Sequence, residues 1–554
     1  MQNAAVAEMF DSIADLLEIA GENPFQIRAY RRAAEAVATH ATPIEDVPAA
    51  ELRAISGLGP ATSDKTREFL ATGRVAFLEK LREEYPRGLL ELMRVPGLGP
   101  KRVQQLYRER GISSVEALQE SIANGELTGL AGFGGKTLAK IEDGIKRLGE
   151  LSSNLPLIDA LPLANLVART LADVEGVERV EIAGEVRRGC ESVESLDWVA
   201  QAGDAKAVIP AFLSLPFVQE VLETTESRAR VRMRPGIEAT LHIAPSGGWG
   251  SALFFATGSP AHVEEARNRN AELENYSDET ELYAALQMPF LDPELREKTG
   301  EWDLKVRPNL VRISDIKGDL HAHSNWSDGS ATIRQMVEAA RARGYQYHAI
   351  TDHSKALAMA NGLNAQRLRE QAKEIAEVQA DFPDVKILRG IECDILRDGS
   401  LDLDDEILHE LDWVVASVHS AFNLDEASQT ARMIRAISHP AVDLIAHPTG
   451  RILGARAPYA VDVAALVEAA REFDTALEIN ASQRLDLKDE HARMARDANV
   501  LISIDTDAHS TRMLNNLEIG LLTARRAWCE PKDILNTKPR EELLAWLKRP
   551  KSQK

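Results

Sequence analysis

Apolar residues recur every three to four positions through the first quarter of the chain. Clear examples are "VAEMFDSIADLLEIA" (6–20) and "RVQQLYRERGISSVEALQESI" (102–122), the spacing of helices with one buried face. Residues 1–148 accordingly read as short helices throughout. The pattern then changes. Between 149 and 311 strand-like pieces, "VERVEIAG", "LDWVAQAG", "RVRMR" and "ATLHIAP", alternate with helices such as "LANLVARTLADV". A proline-spotted linker, "FLDPELREKTGEWDLKVRPNLVRISDIKG", puts a boundary near 312. From 318 onward strands and helices alternate strictly, with strands in "HAITDH", "KILRGIECDI", "WVVASVH", "DLIAHP", "ALEINA" and "VLISIDTDAH". Each strand ends in polar residues, the pattern of a parallel (β/α) barrel whose chemistry gathers at the carboxyl ends. Three domains are expected: 1–148, 149–311 and 312–554.

Composition narrows the function classes. The 554 residues are 44% apolar and 27% charged, with no run approaching the ~18 apolar residues of a membrane span. The acidic amphipathic start is unlike a basic-then-apolar signal, so a cytoplasmic protein with no membrane partner is expected. Three cysteines, Cys190, Cys393 and Cys529, are too few for a disulfide framework or a thiolate zinc knot. Any metal must use histidines and carboxylates. The net charge of −21 argues against coating nucleic acid by bulk charge. Residues 1–150 hold 19 Lys+Arg against 22 Asp+Glu, a net of −3, so they repel a phosphate backbone least.

Within that quarter one pattern occurs three times: "ISGLGPATSDKTREFL", "VPGLGPKRVQQLY" and "LAGFGGKTLAKIEDGI". Each is an apolar residue, a G-x-G turn and a helix. The glycines, Gly57 and Gly59, Gly97 and Gly99, Gly132 and Gly134, allow a tight turn that leaves N–H groups at the next helix start to grip a phosphate. One copy alone is as readily a plain turn. Three copies about 35 to 40 residues apart point to helix-hairpin-helix binding of DNA backbone, independent of base sequence.

The strongest signal is a set of histidines. Ten of the 13 lie after residue 320, most at strand ends. The set comprises His321, His323, Asp328, His353, Glu392, His419, His447, Asp507 and His509. Nine imidazoles and carboxylates on one barrel face are electrostatically hard to hold empty, whereas divalent metals make them a ligand shell. Arg451, four residues after His447, is a candidate to neutralise a scissile phosphate. His348, His409, His439 and His491 read as ordinary core or surface histidines.

Residues 318–554 resemble a PHP (polymerase and histidinol phosphatase) domain. That implies a distorted seven-stranded (β/α)7 barrel with a trinuclear centre of zinc or manganese. The resemblance gives one metal to His321, His323, Glu392 and Asp507, a second to Glu392, His419 and His447, and a third to Asp328, His353 and His509. With the helical start and the "RRGCES…ATGS" middle, the whole chain is similar to bacterial family X DNA polymerases carrying a PHP nuclease. The fold class implied is multidomain: an all-α helix-hairpin-helix region, an α+β nucleotidyltransferase-like palm with thumb, and the PHP barrel.

In that family the palm carries a Gly-Ser turn with arginines, an Asp-x-Asp strand and a third Asp on a neighbouring strand. Here Gly184 and Arg188 remain, but Glu185 replaces the serine. Ser195 replaces the first aspartate, Asp197 matches the second, and Thr240 stands for the third. Phe255-Ala256 precede an intact Thr257, Gly258 and Ser259. One carboxylate does not hold two magnesium ions beside a triphosphate, so polymerisation is expected to be lost or feeble, with magnesium poorly held there. Lys65 aligns with the family's deoxyribose-phosphate lyase lysine, and Tyr30 with Arg31 match its phosphate-binding surroundings. The expectation is a monomeric, nucleoid-associated, metal-dependent 3′→5′ exonuclease acting on gapped, nicked or 3′-ended DNA beside other repair enzymes. The rivals are a gap-filling polymerase borrowing Glu191 or Glu194, a small-molecule phosphatase and a non-enzymatic scaffold.

Overall fold

The computed structural model describes residues 2–549 apart from 39–43, 45, 46, 49, 50, 56, 87, 94, 96, 97, 128, 136, 140, 143, 146–153, 204 and 235. Gly97 and the expected boundary at 148/149 therefore lie outside the described residues. The chain forms two compact units, Met1–Ser152 and Ser153–Lys554. No helix of the described residues is long and apolar enough to cross a membrane.

The first unit is helical, as the periodicity predicts. The pattern over 102–122 splits into Pro100–Arg110 and Val115–Ala123 because Gly111 ends the first helix in the left-handed region (φ 68). Ser114 caps the second by accepting the Ala117 N–H. In each hairpin the apolar residue between the glycines is the plug. Leu58, Leu98 and Phe133 are buried in the helical core, while Gly57, Gly59, Gly99, Gly132 and Gly134 stay exposed. Gly57 is required as glycine: φ is +97, and a Cβ would lie 2.8 Å from that of Ala36.

The second unit begins with helix Leu157–Ala172 and a five-stranded sheet. Its strands are β1 (Val177–Ala183), β2 (Ser195–Ala202), β3 (Val218–Thr224), β4 (Arg228–Met233) and β5 (Glu238–Ile243), in the spatial order 1-2-5-4-3. β3, "VQEVLET", is a strand that the sequence reading lacked; its charged, half-exposed positions hide the apolar alternation. Trp198 and Leu196 point from β2 into the core beneath, with the Trp198 indole donating to the Ala164 carbonyl at 3.0 Å. Truncating that tryptophan would cost about 3–5 kcal/mol. Alternation then turns Ser195, Asp197, Thr240 and His242 to the opposite face.

The barrel strands are β6 (Gly318–Asp319), β7 (Tyr347–Ile350), β8 (Lys386–Asp394), β9 (Trp413–Ser417), β10 (Leu444–Ile445), β11 (Ala476–Asn480) and β12 (Ile502–Asp505), all parallel and in chain order. A bridge between Ala322 and Ala508 nearly closes the ring. The strands are buried almost continuously, as a parallel sheet covered on both faces must be. Palm and barrel share a core: Leu485 and Ile519 of the barrel are buried within the apolar cluster of the palm.

Candidate metal centre

Parallel strands deliver all nine candidate ligands to one end of the barrel. His321 and His323 follow β6, His353 follows β7 and Glu392 lies in β8. His419 follows β9, His447 follows β10, and Asp507 and His509 follow β12. The His-x-His pair puts both rings on one side, with centroids 5.3 Å apart. His323 lies 4.4 Å from the His353 ring and 4.2 Å from that of His509. Ligand atoms lie within 4.8 Å of one another in three groups: His321 with His323 and Glu392; His353 with Glu392 and His419; and His323 with Asp328, His353 and His509. Asp507 joins the first group through His323 Nε2 at 3.0 Å, and His447 reaches Glu392 Oε1 at 2.9 Å. Glu392 is thus common to two groups.

The donors fit cations better than they fit one another. His321 Nε2, His323 Nδ1, His353 Nδ1, His447 Nδ1 and Glu392 Oε2 are buried without a hydrogen-bond partner. His353 Nδ1 lies 2.7 Å from Glu392 Oε2 but lacks the alignment of a hydrogen bond. Orphaned buried polar atoms are costly, and here five belong to candidate ligands. Two ligands also hold left-handed backbone, His447 at φ 32 and Asp507 at φ 51, strain that clusters at functional sites. The buried clusters suit divalent metals.

Electrostatics sorts the ligands. Burial works against a charge on His321, but Glu478, Asp507 and Glu392 overcome it and hold its pKa well above the ordinary value. Burial likewise opposes protonation of His353, and Glu392 and Asp328 push it up to about 10. Burial depresses His323 to about 3, with the neighbouring imidazoles adding to the effect. His447 is also pushed down to about 3, by burial and then by Arg484. Despite burial, Glu392 and Asp507 are held well below the usual carboxylate range by the surrounding imidazoles. Cations in place of protons would satisfy the same field.

Behind the ligands stands a layer that the sequence reading did not single out. Glu478 Oε1 accepts from His321 Nδ1 at 2.6 Å, aiming Nε2 at the cluster, and Oε2 accepts the His447 backbone N–H at 2.7 Å. Asn480 donates to Glu478 and Asp507. The signal was present, since Glu478 is an acid between apolar residues in the strand "ALEINA". Arg451, expected at the phosphate, is instead paired with Glu191 of the palm at 3.0 and 2.7 Å and donates to the Leu485 carbonyl. The arginine beside the ligands is Arg484, with Nε 3.8 Å from Asp507 Oδ2.

The palm face is arranged differently. Asp197 Oδ2 accepts from Ser195 Oγ at 2.7 Å, and Oδ1 lies 3.8 Å from His242 Nε2. Thr240 is its register partner on β5. Gly184 (φ 60) leaves no room for a side chain, since a Cβ would lie 2.6 Å from Asp197 Oδ2. Glu185 turns inward to accept the Glu194 and Ser195 N–H groups, and burial raises its pKa. Arg188 pairs with Glu297 at 2.8 Å and donates to the Thr257 carbonyl. Arg187 binds Glu279 and Thr257 Oγ1. Arg296, fully buried, also binds Glu279. Gly258 ends the helix Trp249–Thr257. Glu191, a candidate substitute metal ligand, is committed to Arg451.

In the first unit, Lys65 Nζ sits over the Phe77 and Tyr30 rings at 4.9 and 5.7 Å. Tyr30 is buried between Phe10 and Phe77. Arg31 is held by Asp11, Asp15 and Glu18, so a phosphate would have to displace three carboxylates. The Gly59 N–H donates to Thr62 Oγ1 at 2.9 Å.

Comparison with known proteins places these features. A helix-hairpin-helix domain matches residues 1–75, a SAM-like helix-hairpin-helix tandem matches 89–147, and a PHP domain matches 319–482. The chain is 36% identical over 570 aligned positions, 99% of its length and 100% of the relative's, to the "DNA polymerase/3'-5' exonuclease PolX" of Bacillus subtilis (strain 168). It is 30% identical to the "Probable phosphatase YcdX" of Escherichia coli (strain K12) over 41% of this chain and 91% of that protein.

Proposed function

The chain belongs to the PolX family of DNA polymerase/3'-5' exonucleases, and from that premise we propose that it is a metal-dependent 3′→5′ DNA exonuclease of DNA repair, cutting in its barrel with its polymerase site out of use. The observation that carries this reading is the contrast in satisfaction: the barrel cluster holds five buried unpartnered donor and acceptor atoms, while the palm's polar groups are spent on one another. The hairpins Gly57–Gly59 and Gly132–Gly134, with Gly99, offer the surface for gapped, nicked or 3′-ended DNA. Such DNA places the work in the cytoplasm, at the nucleoid.

His321, His323, Glu392 and Asp507 would hold one cation, Glu392, His419 and His447 a second, and Asp328, His353 and His509 a third, zinc or manganese suiting this imidazole-rich set. Bound there, divalent metals supply an activated water and neutralise charge on the phosphate. The chain's own part is to orient and to exclude. Glu478 fixes the His321 tautomer, Asn480 fixes Asp507, and the strand ends bury His321, His323, Glu392 and His447. Hydrolysis consumes one water. A new P–O bond forms at the terminal nucleotide, the bond to the upstream 3′ oxygen breaks, and that oxygen leaves protonated while the second proton goes to solvent. In the palm, Glu297 and Glu279 occupy the arginines that a triphosphate would need, and Asp197 is the lone remaining carboxylate of three.

The test is a labelled oligonucleotide with manganese, with and without dNTPs, on wild type and His321→Ala. Shortening that ignores dNTPs and disappears in the variant supports the proposal. Template-directed extension abolished by Asp197→Ala would overturn its polymerase half, and turnover of histidinol phosphate in preference to DNA would overturn its substrate.

A further inference from the structure

Arg484 lies in the loop that follows β11, whose ends are tied by the Asn480 N–H to the Asp486 carbonyl at 2.7 Å. Its side chain is 17% exposed and its Nε is 3.8 Å from Asp507 Oδ2, too far for a hydrogen bond. Asp507 is already served without it, by Asn480 Nδ2 at 3.1 Å and His323 Nε2 at 3.0 Å. Nη1 of Arg484 is shut off from water and has no hydrogen-bond partner. A guanidinium is permanently charged and shaped to hold two oxygens of a phosphate. Arg188, Arg296 and Arg526 each have a carboxylate within hydrogen-bond reach, and the buried Arg432 spends its donors on backbone carbonyls. The Nη1 of Arg484 has neither.

We propose that Arg484 is a catalytic residue that grips the non-bridging oxygens of the scissile phosphodiester beside the ligand cluster, and that the palm positions it. This rests on the phosphodiesterase reading above. The palm's hold has two parts. Leu485, the next residue, is fully buried in the palm's apolar cluster. It has left-handed backbone at φ 39, strain that surrounding contacts must sustain. Its carbonyl accepts from Arg451, whose other contacts are the two oxygens of Glu191. The run Glu191–Arg451–Leu485 therefore leads from the palm to the residue before which Arg484 stands. Arg451, expected to meet the phosphate, becomes a positioning residue, and the palm keeps a use after losing two of its three aspartates.

The experiment compares wild type, Arg484→Ala, Arg484→Lys and Glu191→Gln in the full metal-loaded chain. It reads metal content, kcat and KM on a 3′-labelled single strand, and calorimetric binding of inorganic phosphate. Arg484→Ala should keep its metals, lose about 10²–10³-fold in kcat, and bind phosphate at least about tenfold more weakly. Added guanidinium should restore much of that kcat, which it would not do for a merely structural arginine. Arg484→Lys should fall in between. Glu191→Gln should lower kcat about five- to tenfold alone and add nothing in the Arg484→Ala background, the non-additivity of residues acting through one another. Unchanged phosphate binding in Arg484→Ala, or loss of its metal with no guanidinium rescue, would overturn the proposal. A wild type that binds phosphate through Arg484 but cuts no DNA would instead overturn the phosphodiesterase reading beneath it.

Discussion

The palm and the barrel of this chain both set polar residues at the ends of strands, yet they treat those residues in opposite ways. In the palm every group that a nucleotide would need already has an internal partner: Arg188 has Glu297, Arg187 and Arg296 share Glu279, and Asp197 has Ser195. In the barrel the polar atoms crowd together and stay unmet, with His321, His323, His353, His447 and Glu392 each keeping a buried atom without a partner. On the function proposed above, the satisfied set is a site out of use and the unmet cluster is one awaiting its ligand. Chemical type alone does not separate them, since both regions are rich in carboxylates and cations.

The comparison breaks most visibly if the two sites respond alike to loss of a carboxylate. Glu392→Ala should remove metal and reduce cleavage on the order of 10³-fold or more, since the shared ligand of two groups is lost. Asp197→Ala should leave cleavage within about twofold, there being no metal chemistry in the palm to lose. Exonuclease rates and metal analysis on both variants decide this. Next in size, Glu478→Gln should weaken metal affinity about 10- to 100-fold through loss of His321 orientation, read by competition with a chelator. Glu279→Ala would leave the buried Arg296 with the Leu291 carbonyl but no hydrogen-bonded carboxylate and should destabilise the second unit by about 3–5 kcal/mol, read by denaturant titration, with the cleavage rate of folded protein unchanged.

A smaller effect concerns pH. Burial pushes His348 on β7 down to about 4, against an unfolded value near 6.5. A depressed folded pKa means that the unfolded chain takes up the proton first. The stability is therefore fully present above about pH 6.5 and is lost as pH falls toward 4, to the extent of roughly 3 kcal/mol. With metals chelated, His348→Leu should flatten that slope relative to wild type. Smallest of all, Ser195→Asp with Thr240→Asp should add cation binding to the palm, visible with manganese by electron paramagnetic resonance. It should add no robust dNTP incorporation, because Glu279 and Glu297 still occupy the arginines.

Much of this was legible in the sequence, for physical reasons that differ by region. Barrel strands were readable because a parallel sheet buried on both faces needs unbroken apolar runs, and the candidate ligands because most of those runs end in His, Asp or Glu. The helix-hairpin-helix turns announced themselves through glycine at positive φ, as at Gly57. The edge strand Val218–Thr224 did not, since half-exposed positions carry charge and blur the alternation. The role of Arg451 was misplaced because proximity in sequence to His447 says nothing of Glu191, 260 residues away, which captures it. Arg484 carries no local signal: only the fold of the loop after β11 brings it beside Asp507. Nor does the sequence show that Glu185, standing where the family has serine, turns back to accept the Glu194 and Ser195 N–H groups.

The central claim is that the nine barrel residues form a divalent-metal centre that cuts DNA from its 3′ end. Its most direct test is elemental analysis of the purified chain beside its exonuclease rate, before and after chelation and on re-addition of manganese or zinc. The account predicts three ions per chain, loss of both ions and cutting on chelation, and return of both together. Robust cutting by a chain that holds no transition metal would contradict it.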